Sequence, residues 1–117
     1  MATVTGTQRW NSKRVSSTTW TPLLTTDVGT AESCGRLADR SVQVIGTVGA
    51  GGSVNIQGSN DGVNWATLTE AGTTSTLGTM APGIKQIYEN TLFVRPSVVS
   101  GDGTTSLTVI LTVSSTA

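Results

Sequence analysis

The chain has 117 residues, of which 36% are hydrophobic and 12% charged, and its seven basic and seven acidic residues leave no net charge. Such a balance provides no electrostatic field that attracts nucleic acid or an anionic membrane, so neither is an expected partner. Because there is no histidine and only one cysteine, histidine-based triads, ordinary histidine zinc sites and an intrachain disulfide framework are excluded, and we expect no metal and no cofactor.

The composition predicts a single all-β domain. The chain is rich in threonine and valine, which pack well on a pleated sheet, and in serine and glycine, which serve turns. Its length suits one core. No apolar run is long enough to span a bilayer, and the N-terminus lacks the apolar core of a signal peptide. This pattern predicts a soluble protein that is made in the cytoplasm and not exported by that route.

Residues 1–17 are predicted to form a polar N-terminal arm. The arm carries Arg9, Lys13 and Arg14 with no acidic residue among them, together with Trp10. Two interpretations stay open: a frayed, flexible terminus, or an arm that a partner orders. Tryptophan and arginine commonly anchor interfaces, so on the second interpretation these four residues are candidate contacts with a partner.

The predicted domain covers residues 18–117 and begins with a strand at residues 18–25, where Pro22 indicates an edge strand or the start of one. Residues 27–39 show no clear period and are predicted to form a loop. The loop contains Cys34, which we interpret as a small buried residue because the histidine base of a catalytic cysteine is missing.

The stretch from Ser53 to Leu68 has the chemistry of a β-hairpin. Its first strand alternates between a buried and an exposed face. The turn residues are Asn60, Asp61 and Gly62, which reach positive φ at least steric cost and which we assign to the structure of the hairpin. Because a half-buried strand at residues 41–48 comes before the hairpin, the three strands are expected to form a meander.

The length of the hairpin loop decides which way Trp65 points. A two-residue loop places Trp65 opposite Gly58, with the indole in the core. A three-residue loop instead turns Trp65 outward and Leu68 inward. We expect the first arrangement, in which Trp65 belongs to the core.

A surface loop of low charge is predicted for residues 69–81. Its two sizeable apolar side chains are Leu77 and Met80. Surface loops commonly carry binding contacts, so these two residues are further candidate contacts with a partner.

The last part of the chain is predicted to contain three strands. Strands at residues 83–88 and 92–99 come first, and Pro96 confines the second of them to an edge or a bulge. After a turn at residues 101–103, residues 107–113 give the longest clean alternation in the chain, which indicates a central strand. The residues expected to share the core are Val42, Val44, Val54, Ile56, Trp65, Val109 and Leu111.

The remaining route to catalysis is a pair of carboxylates that cleaves a glycosidic bond, and the candidate pairs are Asp61 with Glu70 or with Asp102 if the turns cluster at one end. Asp61 and Asp102 each stand beside glycine in turn motifs that already account for an aspartate. We therefore expect that the protein is not an enzyme.

Five blocks of the sequence carry a family likeness, in the order STTWTPL, ADRSVQVIGTV, IQGSNDGVNWATLT, ENTLFVRPSV and GDGTTSLTVIL. Together they resemble small structural proteins encoded among the capsid genes of tailed bacteriophages, of the cement or head-decoration type. The resemblance implies a β-sandwich or jelly-roll protein of the virion. It also implies that the protein binds the major capsid protein on the outside of the assembled shell as a homo-oligomer, a trimer or a dimer, and stabilises it.

The block GSNDGVNW alone also resembles part of the discoidin-type carbohydrate- and lipid-binding domains. Those domains are longer, and a disulfide that ties their termini together is common in them. A carbohydrate-binding module is therefore the alternative function. A tail or fibre component of the same virion is a further alternative.

Overall fold

The computed structural model describes residues 2–12, 14–35 and 37–115, and the regular structure in this part of the chain consists of β-strands alone. The strands are β1 (Thr3–Val4), β2 (Thr7–Ser12), β3 (Val15–Leu23), β4 (Val28–Gly29), β5 (Glu32–Ser33), β6 (Asp39–Thr47), β7 (Ser53–Ser59), β8 (Ala66–Thr67), β9 (Gly83–Gln86), β10 (Phe93–Ser100) and β11 (Ser106–Ser114). The predicted contact residue Lys13 lies outside the described residues. No helix in the described part is long and apolar enough to cross a membrane.

The strands form two sheets that pack face to face. One sheet, which we call the β10 sheet, has the order β1-β4-β10-β7-β8, with β5 also paired to β10; the other, the β11 sheet, has the order β2-β3-β11-β6-β9. Pairing between these strands is antiparallel except between β1 and β4. The orders β4-β10-β7-β8 and β3-β11-β6-β9 are those of an eight-stranded jelly roll. The predicted all-β sandwich is confirmed.

The core lies between the sheets and is formed by the alternate residues that point inward from each strand. β11 pairs with β3 on one side and β6 on the other, as predicted for a central strand. Of the predicted core residues, all but Trp65 are buried. The buried apolar residues are Trp20, Leu23, Cys34, Leu37, Val42, Val44, Val54, Ile56, Leu68, Leu77, Met80, Ile87, Val94, Val98, Leu107, Val109, Leu111 and Val113.

The three strands predicted as a meander do not share a sheet. β6 belongs to the β11 sheet and β7 to the β10 sheet, and the chain crosses between the sheets at residues 49–52. Gly49 and Gly51 have φ values of 82° and 67°, which only glycine adopts freely. The meander prediction is wrong because alternation shows which face of a strand is buried and does not show which sheet the strand joins.

β3 is an internal strand, whereas Pro22 had indicated an edge. β2 pairs with one side of β3, and β11 pairs with the other. Pro22 lies beyond the last pair with β2, which joins Thr7 to Thr19, and within the irregular part of the ladder to β11. The predicted edge position is wrong, and the proline is tolerated because its missing N–H falls where the ladder is interrupted.

β10 is also internal, with Pro96 paired to Ile56 of β7. On the other side of β10, β5 ends its pairing at Val94 and β4 pairs at Ser97, so Pro96 lies between these two short strands. Gly29 leaves room for the ring, because a Cβ on Gly29 would lie 2.6 Å from Pro96 Cδ. The predicted edge or bulge position is wrong, since a gap in the neighbouring ladder accommodates the proline instead.

The hairpin adopts the register of the longer loop. Gly58 pairs with Ala66, so Trp65 points outward and is half-buried, while Leu68 is buried. A Cβ on Gly58 would lie 2.6 Å from Leu68 Cδ2, which shows that Leu68 covers the bare glycine. The expected core position of Trp65 is wrong because the connection between β7 and β8 occupies residues 60–65 and changes the register.

Part of the predicted surface loop at residues 69–81 belongs to the core. Leu77 O accepts a hydrogen bond from Ile56 N at 2.9 Å, and Met80 N donates to Val54 O at 2.9 Å. This segment therefore runs along β7, and both of its apolar side chains are buried. The prediction of Leu77 and Met80 as partner contacts is wrong, because neither side chain reaches the surface.

Residues 2–12 add a strand to each sheet. β1 pairs with β4, and β2 pairs with β3. Ala2 N donates to Asp27 Oδ1 at 3.1 Å, and Gly6 N donates to Thr30 Oγ1 at 3.0 Å. The boundary predicted after residue 17 therefore falls inside β3.

Candidate interaction surfaces

The outer face of the β11 sheet is built from the alternate residues that the core does not use. Strand pairing aligns Thr19, Ile110, Gln43 and Ile84 in one row across the sheet. We call this surface the threonine face. Its residues are Thr7, Arg9, Ser17, Thr19, Thr21, Ser41, Gln43, Ile45, Ile84, Gln86, Thr108, Ile110 and Thr112.

The threonine face is wide and nearly uncharged. Arg9 lies on the edge strand β2 and Asp39 is the first residue of β6, so both of these charged side chains lie at its rim. Five strands spaced about 4.8 Å apart, with a central strand about 30 Å long, give an area on the order of 600 Å². An area of this order approaches the roughly 800 Å² that each partner contributes to a stable interface.

The edge of the β11 sheet gathers three of the predicted contact residues. Arg9 and Trp10 lie on β2, and Arg14 follows in the turn to β3. The Trp10 side chain is 53% exposed, which is high for so large an apolar group. Arg9 and Arg14 form no ion pair with the described part of the chain. This edge therefore presents two cations and a tryptophan, with Arg9 on the threonine face and Trp10, whose partner Ser16 is buried, on the opposite face of β2.

Asp61 organises the loop between β7 and β8. Its carboxylate accepts hydrogen bonds from the N–H groups of Asn64 and Val63, from the Asn64 side-chain amide and from the Ser59 hydroxyl, each at 2.8 Å. The two N–H donors, with smaller contributions from the two side chains, hold the pKa of Asp61 far below its usual range. Asp61 is therefore a turn residue, as its neighbouring glycine predicted.

Asp102 joins two turns at the other end of the β10 sheet. Its carboxylate accepts hydrogen bonds from the Thr104 hydroxyl at 2.6 Å, the Ala50 N–H at 2.9 Å and the Thr104 N–H at 2.8 Å. These bonds, led by that of the Thr104 hydroxyl, lower the pKa of Asp102 to about 2. Asp102 thus fastens the crossing between β6 and β7 to the turn between β10 and β11.

The substitution Asp102→Asn is expected to lower the free energy of unfolding at pH 7. The difference between the variant and the wild type should disappear in acid. The folded-state pKa of about 2 lies below the value of about 3.9 for an unfolded aspartate, so the stabilising contribution is present above the unfolded pKa and disappears as the pH falls through the folded one. Urea unfolding of both proteins at pH 7 and near pH 2 measures the difference. A difference of equal size at the two pH values would contradict this assignment.

The three carboxylates considered for glycosidase chemistry do not form one site. Asp61 follows the end of β7, whereas Asp102 follows the end of the antiparallel β10 and lies near the start of β7. A strand of that length separates them by about 20 Å, well beyond the roughly 5–10 Å of catalytic carboxylate pairs. Glu70 is paired with Lys85, with Nζ 3.0 Å from Oε1. In the described residues, no three His, Cys, Asp or Glu side chains gather where they would hold a metal.

The outer face of the β10 sheet carries a stacked cation. The Arg95 guanidinium lies over the Trp65 indole, with 4.0 Å between Cζ and the ring centroid, and Arg95 Nε donates to Gln57 Oε1 at 3.0 Å. Sequence reasoning missed this pair because it placed Trp65 in the core. In the observed register, Gln57 pairs with Arg95 on one side and Thr67 on the other, which brings Trp65 to the same face.

Arg40 is a second cation that sequence reasoning missed, and it is buried. It points inward from β6, where Nε donates to Leu37 O at 2.9 Å and Nη1 donates to Glu89 O at 3.4 Å. Nη2 has no partner in the described part of the chain, and desolvation lowers the pKa of Arg40. Burial also raises the pKa of the nearby Cys34 thiol to about 11, against the opposing effect of the Arg40 charge. Neither group is available to a partner at the surface.

An open cleft of about 650 Å³ lies beside the loop that precedes β9, and it is lined by Thr69, Gly72, Thr73, Thr74, Tyr88 and Glu89. The Glu89 carboxylate accepts hydrogen bonds from the Thr69 N–H at 2.8 Å and the Thr69 hydroxyl at 2.7 Å. Desolvation raises the pKa of Glu89, but these bonds outweigh it and leave the pKa below its usual value. The carboxylate is thus ionised and held by the fold.

No known protein family and no curated protein matches the chain. Among solved structures, the chain is similar to YomS, a protein derived from the SPBc2 prophage, with a TM-score of 0.65 and 16% identity over 92% of this chain and 100% of that one. It is less similar to a cupin domain from Bordetella pertussis Tohama I, with a TM-score of 0.48 and 11% identity over 96% and 92% of the two chains. It is also less similar to protein NMB1881 from Neisseria meningitidis, with a TM-score of 0.46 and 10% identity over 94% of this chain and 83% of that one. At 16% identity, the similarity to YomS shows a shared fold.

Proposed function

We propose that this chain is a structural protein of a tailed-phage virion that binds the major capsid protein on the outer surface of the shell and stabilises the shell. The observation that carries the proposal is the threonine face, a wide and nearly uncharged surface on a jelly roll. The five sequence blocks that resemble cement proteins support a phage role. So does the shared fold with a prophage-derived protein.

The chemistry of the threonine face suits a lasting protein contact. Burying a charged side chain at an interface costs free energy unless a partner compensates it, and the charges of this face lie only at its rim. The hydroxyls of Thr21 and Thr108 are 2.7 Å apart and hydrogen-bond to each other, so one of the two O–H donors already has its acceptor when the face is covered. Arg9 and Arg14 at the edge would then meet carboxylates of the shell or of a neighbouring copy.

Self-association belongs to this proposal. A trimer fits decoration at three-fold positions of a shell, and a dimer is its competitor. Sedimentation equilibrium at micromolar concentration, without shells, distinguishes the two. A monomer in that experiment would contradict self-association and would leave binding to the shell to be tested separately.

Direct binding to shells tests the proposal. Shells of the phage that encodes this chain, assembled without it, are mixed with the purified protein and sedimented. We expect saturable binding at one stoichiometry, together with a higher temperature of shell rupture in the occupied particles. Absence of co-sedimentation at micromolar protein would overturn the proposal. Binding confined to tail structures would favour the alternative of a tail or fibre component.

The substitution Trp10→Ala is expected to weaken binding to the shell at least about tenfold, because an exposed tryptophan beside two cations has the composition of an interface anchor. A point substitution tests this contact better than deletion of residues 1–17, which would also remove part of β3. Trp65→Ala, on the opposite sheet, is the matched control and should bind as the wild type does. Equal binding by Trp10→Ala and the wild type would remove Trp10 from the contact.

A further inference from the structure

The outer face of the β10 sheet presents a row of hydrogen-bond donors. The amide side chains in this row have free N–H groups, whereas their oxygen atoms already accept a hydrogen bond from within the protein. Gln57 Oε1 accepts the bond from Arg95 Nε at 3.0 Å, and Asn55 Oδ1 accepts one from Thr79 N at 2.9 Å. The amide nitrogens of Asn55 and Gln57 and the terminal nitrogens of Arg95 donate to no other group in the described part of the chain. These free donors therefore all belong to one face.

Arg95 is held in position before any ligand arrives. Its guanidinium stacks on Trp65 at 4.0 Å and is fixed from the side by Gln57. Burial against the sheet lowers the pKa of Arg95, but a guanidinium stays charged at neutral pH. A guanidinium fixed in this way loses little conformational entropy when it binds an anion.

One acidic side chain lies at the end of this face: Ser59, which pairs with the outward Phe93, donates from its Oγ to Asp61 Oδ1 at 2.8 Å. The outward residues of its longer strands and the residues aligned with them are Val28, Ser33, Ser53, Asn55, Gln57, Ser59, Trp65, Thr67, Phe93, Arg95 and Ser97. The hydrogen bonds of the Asp61 carboxylate go to its own loop, and Arg95 forms no ion pair in the described part of the chain. An unpaired guanidinium among other hydrogen-bond donors is complementary to an anion with many oxygen atoms.

The extent of the row favours one class of anion. The two terminal nitrogens of Arg95 can take both oxygens of a single carboxylate in a bidentate pair. Asn55 and Gln57 are two positions apart on β7, so their amides extend the row by about 7 Å. The carboxylate of an aspartate or glutamate side chain would satisfy Arg95 alone, whereas an acidic sugar adds hydroxyl oxygens that reach the amides.

We propose that the outer face of the β10 sheet binds a carboxylated saccharide, with Arg95 on the carboxylate and the amides of Gln57 and Asn55 on the hydroxyls. This face is on the opposite side of the sandwich from the threonine face. It would therefore stay accessible on a protein whose threonine face is covered. The proposal goes beyond shell binding and does not depend on it.

Titration of the isotopically labelled full chain with sodium glucuronate, followed by ¹H–¹⁵N NMR, tests the proposal. We expect saturable shifts of the Arg95 Nε–H and Trp65 Nε1–H signals and of β7 and β10 amides, with a Kd of about 1–10 mM. Methyl glucoside, which lacks the carboxylate, should bind at least about tenfold more weakly.

Two variants identify the donors. Gln57→Glu places a carboxylate beside Arg95, and this internal partner should keep the fold and abolish glucuronate binding. Arg95→Gln should weaken binding at least about tenfold, whereas Arg9→Gln, which removes a cation from the other sheet, should leave it unchanged.

Three results would overturn the proposal. The first is the absence of a saturable shift with glucuronate up to about 50 mM, well above the expected Kd. The second is an affinity for acetate, or for glutamate blocked as N-acetylglutamate α-amide, that equals the affinity for glucuronate. This result would assign the face to an acidic protein side chain. The third is unchanged binding by Gln57→Glu.

Discussion

Replacing Trp20 by alanine is expected to lower the free energy of unfolding by about 3–5 kcal/mol, the usual cost of truncating a buried aromatic side chain. Trp20 is 1% exposed, and its Nε1 donates to Thr30 O at 3.1 Å. Gly6 and Gly29 lie directly against the indole, since a Cβ on either would come within 2.8 Å of a ring atom. The variant therefore loses both the packing and the hydrogen bond of a side chain that joins the two sheets inside the core.

Trp65→Ala is the matched control for this experiment. Trp65 is half-buried on the outer face of the β10 sheet, where its ring stacks against Arg95. Its loss should cost about 1 kcal/mol, the typical value of an exposed cation–π pair with some lost packing. Guanidinium unfolding followed by far-UV circular dichroism measures both variants. Equal losses for the two tryptophans would contradict the hairpin register described here.

The strands with long alternation were predictable because local chemistry decides them. β11 alternates inward leucine and valine with outward threonine, serine and Ile110, and any register that buries one face must bury Val109 and Leu111 together. The Asn60–Gly62 turn was also predictable. The length of the loop was not predictable, because the hydrogen bonds that Asp61 accepts extend the loop to Trp65. The alternation in the strands carries no information about the number of residues between them.

Contacts between residues far apart in sequence were beyond local reasoning. Leu77 stands in a polar loop, and its side chain is buried because its backbone forms hydrogen bonds to Ile56 N and to Leu68 O, which hold the loop along β7. The stack of Arg95 on Trp65 depends on a register that joins three strands. Alternation within a single strand shows which face of that strand Gln57 or Arg95 occupies. Only the pairing of the two strands shows that both residues lie on the same face of the sheet.

The candidate surfaces were predictable only where their residues are close together in the sequence. Arg9, Trp10 and Arg14 stood out because cations and a tryptophan are unusual in a polar terminus, and the structure places them on one edge. The threonine face was not predicted, because its residues come from five strands that are distant in sequence. Each strand alone shows only that its threonines face solvent.

Introducing a charge at the centre of the threonine face is expected to weaken binding to the shell at least about 100-fold. Thr112 is half-buried on the central strand β11, so Thr112→Glu would force an unpaired carboxylate into the proposed contact. An ion that loses water without gaining a partner costs several kcal/mol, and each 1.4 kcal/mol is about a factor of ten in affinity. Co-sedimentation with shells at several protein concentrations measures the change.

Ser97→Glu is the control for the introduced charge. Ser97 occupies the equivalent place on the other sheet, half-buried on the outer face of the central strand β10. Both variants should unfold at similar denaturant concentrations, since each introduced carboxylate faces solvent in the free protein. If Ser97→Glu loses affinity and Thr112→Glu does not, the shell contact lies on the β10 sheet instead.

The copy number of this chain in purified particles tests the central claim most directly. Quantitative mass spectrometry of intact virions gives the ratio of this chain to the major capsid protein. A protein that decorates the outer surface of the shell should be present at a fixed ratio, in hundreds of copies per particle. A handful of copies would place it in the tail or at a vertex, and its absence from the particle would contradict a structural role in the virion.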